Sequence, residues 1–164
     1  MIDDVFIKAN ILPDRQAEFQ AIEYIVKQMN PDKVVTPPEE VHIEGGDVMP
    51  WNEHIFIGTY KGDDYKEQVT ARTNMAGVAF IQKLFPHKKV KEFDLVKSKT
   101  EARDNALHLD CCFQPVGKNK AIIYKGGFRS EADYQYLVDI FGAENLFHIE
   151  REEMYEMNSN VFSI

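Results

Sequence analysis

The chain has 164 residues, and its 27 Asp and Glu outnumber its 19 Lys and Arg, giving a formal charge of −8. Clustered positive charge is what holds a nucleic-acid backbone, so this balance excludes that class of partner. With 44% hydrophobic and 28% charged residues the composition is that of a globular domain, and no apolar run reaches the ~20 residues that span a bilayer.

A single domain over residues 1–164 is expected at this length, and it is large enough to bury a core without a disulfide or metal. The two cysteines, Cys111 and Cys112, are adjacent and cannot build a disulfide framework. The N-terminus lacks the basic and apolar regions of a signal peptide. A reducing, cytoplasmic location is the expectation.

Residues 1–40 read as an opening unit of strand, helix and strand. Val5-Phe6-Ile7 is a short apolar strand, and Ala21, Ile22, Ile25, Val26 and Met29 fall at helical spacing between Asp14 and Asn30. Lys33 to Thr36 then forms a strand closed by Pro37-Pro38. Residues 41–96 add one more strand. Val41 to Glu44 alternates, Gly45-Gly46 breaks it, His54 to Gly58 is a second strand, a helix runs from Thr73 to Phe85, and Val90 to Val96 closes the unit. Residues 107–150 repeat that order with strands at Leu107 to Phe113, Ala121 to Tyr124 and Leu146 to Ile149 around a helix from Ser130 to Phe141. Ser130 with Asp133 resembles a capping box, and Gly142 stands at a helix C-cap. Another unit starts at 157, with Asn160 to Ile164 as an apolar strand. Strand-strand-helix-strand units at intervals of roughly sixty residues suggest a radial or stacked array. Because the chain opens inside one unit and closes on an unpartnered strand, truncation at both ends is expected; a C-terminal strand docked into a sheet is the plainer alternative. The polar stretch from Lys97 to Ala106 reads as a long structureless loop.

Two segments carry chemistry. In His42-Ile43-Glu44-Gly45-Gly46-Asp47 a strand period of two puts His42 and Glu44 on one face, and the glycines let backbone approach closely or turn. Asp47 alone could be no more than a turn residue. In Leu107 to Phe113 the same parity puts His108 and Asp110 on one face, opposite Leu109 and Cys111. Inward-facing polar groups must be satisfied or used, whereas on a solvated edge they would do nothing. Along a strand, Cys112 lies ~13 Å from His108, too far for proton transfer, so both cysteines read as small buried residues. His42, Glu44, His54, His108 and Asp110 are metal-ligand types without ligand spacing, so no metal is expected. Arg72, opening the middle helix, is suited to clamping a carboxylate or to a surface ion pair. Tyr134, Tyr136 and Phe141 share a helix and read as packing.

Glu44-Gly45-Gly46-Asp47, Arg72-Thr73-Asn74, His108-Leu109-Asp110 and Met157-Asn158-Ser159-Asn160, in that order within repeated units, resemble the guanidino-group-modifying enzymes: arginine deiminase, dimethylarginine dimethylaminohydrolase and the amidinotransferases. The resemblance implies an α+β fold, a pentein-type α/β propeller of which half to three-fifths is present. It implies His108 as general acid and base, grouped with Glu44 at the catalytic centre, and Asp110, Asp47 and Arg72 as substrate-binding residues. Glu44 and Asp110 would bind the guanidinium, and Arg72 would hold a substrate carboxylate. A planar, donor-rich cation is fixed by forked hydrogen bonds to carboxylates, which favours attack at its central carbon.

In such enzymes a cysteine thiolate attacks that carbon, and the histidine protonates the departing amine before activating water or an acceptor amine. The nucleophilic cysteine lies in a later segment, absent from this chain, and a further substrate-binding aspartate normally precedes the first helix, where Asp3 and Asp4 are no clear match. The implied partner is a small guanidino compound such as arginine, with no cofactor and no metal, and with a second copy or missing segments to complete the ring. The competing readings are a non-catalytic guanidino-binding or structural protein, and a metal-binding hydrolase.

Overall fold

Strand β4 (His54–Thr59) is buried along its whole length and divides the molecule's apolar interior into two. Its alternate side chains enter different cores. Ile55 and Ile57 pack with Ile2, Val41, Ile43, Val78, Ile81 and Phe85, whereas Phe56 packs with Phe93, Leu109, Phe113, Leu137 and Phe141. A strand covered on both faces must be apolar in both registers, which is why His54-Ile55-Phe56-Ile57 reads as a continuous run. The computed structural model describes residues 1–15, 17–63, 66 and 69–161.

The opening unit pairs β1 (Phe6–Ile7) in parallel with β2 (Val34–Val35), with α1 (Glu18–Val26) between them. The next is a three-stranded sheet in the order β3 (Val48–Trp51), β4, β5 (Lys89–Asp94), antiparallel then parallel, with α2 (Met75–Leu84) as the crossover. The third repeats it with β6 (Phe113–Val116), β7 (Lys120–Ile123), α3 (Glu131–Phe141) and β8 (Leu146–His148). A short helix α4 (Arg151–Tyr155), not foreseen from periodicity, follows. The architecture is mixed α+β, as expected.

The first strand of each full unit lies later in the chain than expected. Val41 to Glu44 forms no ladder beyond a single bridge from His42 to Asn10, and Leu107 to Phe113 is not a strand: Leu109–Cys111 is a 3-10 turn and β6 begins at Phe113. The true strands each contain a proline, Pro50 in β3 and Pro115 in β6, a residue that argues against a strand by rule. Both strands are sheet edges, where a missing N–H costs no ladder bond.

The helices were more legible. Ser130 caps α3 by accepting from Ala132 N–H, and Gly142 ends it at φ 80°, a left-handed value that suits glycine. Asp133 does not complete a capping box, because it accepts from Lys91 Nζ at 2.6 Å and from the Asp94 N–H at 3.2 Å, tying α3 to the preceding sheet. A capping box is formed instead by Glu150 with Glu153 at α4. The stretch 97–106 is ordered by a 3-10 turn at Ala102–Asp104 and by ion pairs from Asp104 to Arg151 and from Arg103 to Glu152. Asn160 and Val161 form no strand, and the rest of the expected terminal strand, 162–164, lies outside the described residues. No described helix is long and apolar enough to cross a membrane.

Candidate active site

Two single-turn segments face each other across the boundary between the second and third units. Gly45–Asp47 and Leu109–Cys111 are both 3-10 turns that run straight into an edge strand, and each is entered by an extended residue, Glu44 or His108. Glu44 and His108 thus occupy equivalent places, and they meet: His108 Nε2 lies 2.9 Å from Glu44 Oε2. The close approach depends on Gly46, where a Cβ would stand 2.8 Å from Asp110 Oδ2 and 3.0 Å from His108 Cγ.

The Arg72-Thr73-Asn74 segment holds the Glu44 side of this meeting. Asn74 caps α2 at Gly77 N–H and accepts from His42 N–H, while Thr73 Oγ1 accepts from Glu44 N–H and donates to Asp47 Oδ2 at 2.7 Å. Arg72 Nη1 reaches Glu44 Oε1 at 3.2 Å, and Arg15 Nη1, anchored by Glu18, reaches Oε2 at 2.7 Å. Glu44 is only 3% exposed. Burial opposes its ionisation, yet His108, Arg72 and Arg15 outweigh burial and hold its pKa down to about 2. It is a carboxylate already carrying two guanidinium groups of its own chain.

Asp47 behaves differently. It is 1% exposed, and besides Thr73 it accepts the Leu109 N–H at 3.0 Å, with burial raising its pKa. Its two oxygens are spent on joining the units immediately after His108. On the other side of His108, Lys97 Nζ donates to Ala106 O and Leu107 O, both at 2.7 Å. Burial lowers the Lys97 pKa while Asp47 works against it. Ser159 Oγ completes the bracket against Asp110 O and Cys111 O at 3.0 and 2.6 Å. Lys97 gave no sequence signal, since it opens a polar stretch that reads as loop, and Arg15 belongs to none of the motifs.

Asp110 is the carboxylate left open. It lines a cleft of about 560 Å³ with Gly45, Gly46, Trp51, Gln114 and Asn160, and it also lines a cavity of about 220 Å³ with His108 and Cys111. Burial raises its pKa, with His108 and the hydrogen bonds of Cys111 and Asn160 working against that shift. Glu44, His108 and Asp110 are therefore together at one place, with Arg72 on Glu44 and Asp47 behind the turn.

No protein-family model matches the chain. It is 23% identical to YkgA, an uncharacterised protein of Bacillus subtilis (strain 168), over 165 residues covering 99% of this chain and 49% of that one. Among solved structures, the product-bound N-terminal domain of ArgZ, an arginine dihydrolase from cyanobacteria, superposes with a TM-score of 0.78 at 16% identity, covering 100% of this chain and 55% of that one. DDAH from Pseudomonas aeruginosa, complexed with citrulline, gives 0.67 at 23%, covering 93% and 51%. The chain has the fold of the ArgZ N-terminal domain and of DDAH. It spans about half the length of YkgA, the ArgZ domain and DDAH.

Within that fold the two cysteines lack the surroundings of a nucleophile. Cys112 is fully buried, its thiol donates to Leu109 O, and burial pushes its pKa far up. Burial also pushes Cys111 up to about 11. Since 107–113 is not a strand, the extended-strand distance does not apply, and it is burial that sets Cys112 aside. Cys111 has another property: its sulfur and donor atoms of His108 and Asp110 lie within 4.8 Å of one another. Of the other expected ligand types, Glu44 is taken up by His108 and two arginines, and the His54 ring packs against Phe56 and Trp51.

Proposed function

We propose that the chain carries the guanidinium-binding and proton-transfer part of an active site that modifies arginine or a related compound, by hydrolysis or by amidino transfer. The observation that carries the reading is the 2.9 Å pairing of His108 with Glu44 beside the open carboxylate of Asp110, on a fold shared with an arginine dihydrolase and DDAH. Asp110 takes the substrate's guanidinium by charge-assisted hydrogen bonds. Glu44, ionised and clamped, holds the His108 ring so that it can deliver a proton to the departing amine and afterwards take one from water or an acceptor amine. Arg72 and Arg15, at the rim of Glu44, supply positive charge for a substrate carboxylate. Asp47 is assigned to positioning the His108 turn, in place of touching substrate. The attacking thiolate, on this reading, comes from outside residues 1–164, because Cys111 and Cys112 are buried and protonated at neutral pH. The repeated units support a partial propeller of the pentein type.

Calorimetric titration of arginine into the chain tests the reading. Binding that weakens in Asp110→Asn, with no citrulline formed by the chain alone, is the expected result. Citrulline formation by the isolated chain would place the nucleophile among these residues, and equal arginine affinity in Asp110→Asn would remove the guanidinium seat. The alternative reading, a guanidino-binding module without catalysis, differs only once a thiolate-bearing segment is joined to the chain: turnover then supports the enzyme.

A further inference from the structure

The Leu109–Cys111 turn does something its counterpart cannot. Three of the four residues from 108 to 111, His108, Asp110 and Cys111, bring an imidazole nitrogen, a carboxylate oxygen and a thiol sulfur within 4.8 Å of one another. All three line the cavity of about 220 Å³, together with Leu107, Tyr155 and Asn160. We propose that His108, Asp110 and Cys111 form a site for one zinc-class divalent cation.

The imidazole is already set for the task. His108 Nε2 faces Glu44 Oε2 at 2.9 Å, and Glu44 is a carboxylate held by two arginines, so in the neutral ring the proton belongs on Nε2. Nδ1 is then the nitrogen with a free lone pair. A histidine whose second ring nitrogen donates to a carboxylate is the common arrangement behind a metal ligand, since it fixes both tautomer and ring orientation.

The donor set selects the ion. An imidazole and a thiolate favour zinc and its neighbours, whereas magnesium and calcium want oxygen ligands only. Around zinc, bond lengths of about 2.0–2.3 Å put neighbouring ligand atoms roughly 3.5 Å apart, so the cluster closes by side-chain rotations of about 1 Å. Cys111 Sγ already lies 3.6 Å from Asp110 Oδ1, to which it donates. On binding, the sulfur–hydrogen bond breaks, the sulfur–metal bond forms, and the proton leaves to solvent. Three protein ligands leave a fourth position for water. In the equivalent turn, Gly46 and Asp47 replace Asp110 and Cys111, and Asp47 is committed to Leu109 and Thr73, so the site exists in one repeat only.

The metal would occupy His108 and Asp110, so it and a guanidinium exclude each other; this corollary, unlike the metal site itself, rests on the proposed function. The test uses metal-free preparations of the whole chain titrated with cobalt(II), and with zinc against a chromophoric chelator. The expected result is one equivalent bound, with a thiolate-to-cobalt charge-transfer band. Cys111→Ser abolishes that band, Cys112→Ala leaves it, and Glu44→Gln weakens zinc binding roughly 10- to 100-fold by freeing the imidazole. A second measurement needs no variant: X-ray absorption of the zinc-loaded unmodified chain should show one sulfur ligand at about 2.3 Å beside nitrogen and oxygen ligands at about 2.0–2.2 Å. Absence of the band in the unmodified chain, its survival in Cys111→Ser, or a zinc shell without sulfur would overturn the proposal. Saturating arginine should weaken zinc binding. Zinc bound through Cys111 but indifferent to arginine upholds the metal site and counts against the guanidinium seat on Asp110.

Discussion

Gly45–Asp47 and Leu109–Cys111 are the same backbone device loaded with different side chains. Each is a single turn entered by an extended residue and followed by a proline-bearing edge strand. In the first, the carboxylate of Asp47 points into the protein and holds the second turn in place. In the second, the carboxylate of Asp110 faces open space beside His108. Burial separates the two carboxylates: Asp47 is sealed between Leu109 and Thr73, whereas Asp110, although it accepts from Cys111, borders the cleft.

The sharpest way to break this comparison is Asp47→Ala. It orphans the Leu109 N–H and the Thr73 hydroxyl in a buried place, at about 1–3 kcal/mol each, for a total loss of about 4 kcal/mol in urea unfolding. A loss under about 1 kcal/mol would show that Asp47 does not hold the turns together.

Glu44 gives the next largest effect, through pH. Its folded pKa of about 2 lies below its ordinary 4.5, so its stabilisation is complete above 4.5 and is lost as pH falls from 4.5 toward 2. The shift corresponds to about 3 kcal/mol at most, and Glu44→Gln should flatten the stability profile across that window. An acid limb unchanged by Glu44→Gln would mean that the His108 and arginine contacts do not stabilise the fold.

Asp110 should behave oppositely. Burial raises its pKa, so its contribution to stability is present at low pH and lost as pH rises through the raised value. Asp110→Asn should therefore leave unfolding at neutral pH unchanged or slightly harder, while weakening arginine binding by about 1.5–3 kcal/mol. Arginine affinity should also climb as pH rises above the usual carboxylate range, because only the ionised group pairs with the cation. A flat affinity from pH 4 to 8 would count against Asp110 as the seat.

The smallest effect is a rate. With its pKa at about 11, Cys111 should react with iodoacetamide only slowly at neutral pH in metal-free protein, and faster as pH approaches 11. Rapid modification at pH 7 would reopen it as a nucleophile.

Helices were legible because their signals are local. The period of α2, the Ser130 cap and the Gly142 stop need nothing beyond a dozen neighbouring residues. The edge strands were not, because Pro50 and Pro115 argue against a strand until one knows that each lies where no ladder bond is lost. The site is legible in part for the wrong geometric reason: strand parity puts His108 and Asp110 on one face, whereas they come together on a turn.

The sequence by itself determined the order of the units and the chemical types at the centre, Glu44, His108 and Asp110, because residue identity and spacing are sequence properties. Tertiary structure decided which carboxylate is open and which is sealed. It also recruited Lys97, Arg15 and Ser159 to hold the turns, and set the thiol of Cys111 beside His108 and Asp110. Those outcomes depend on burial and on partners from other units, and no local pattern encodes them.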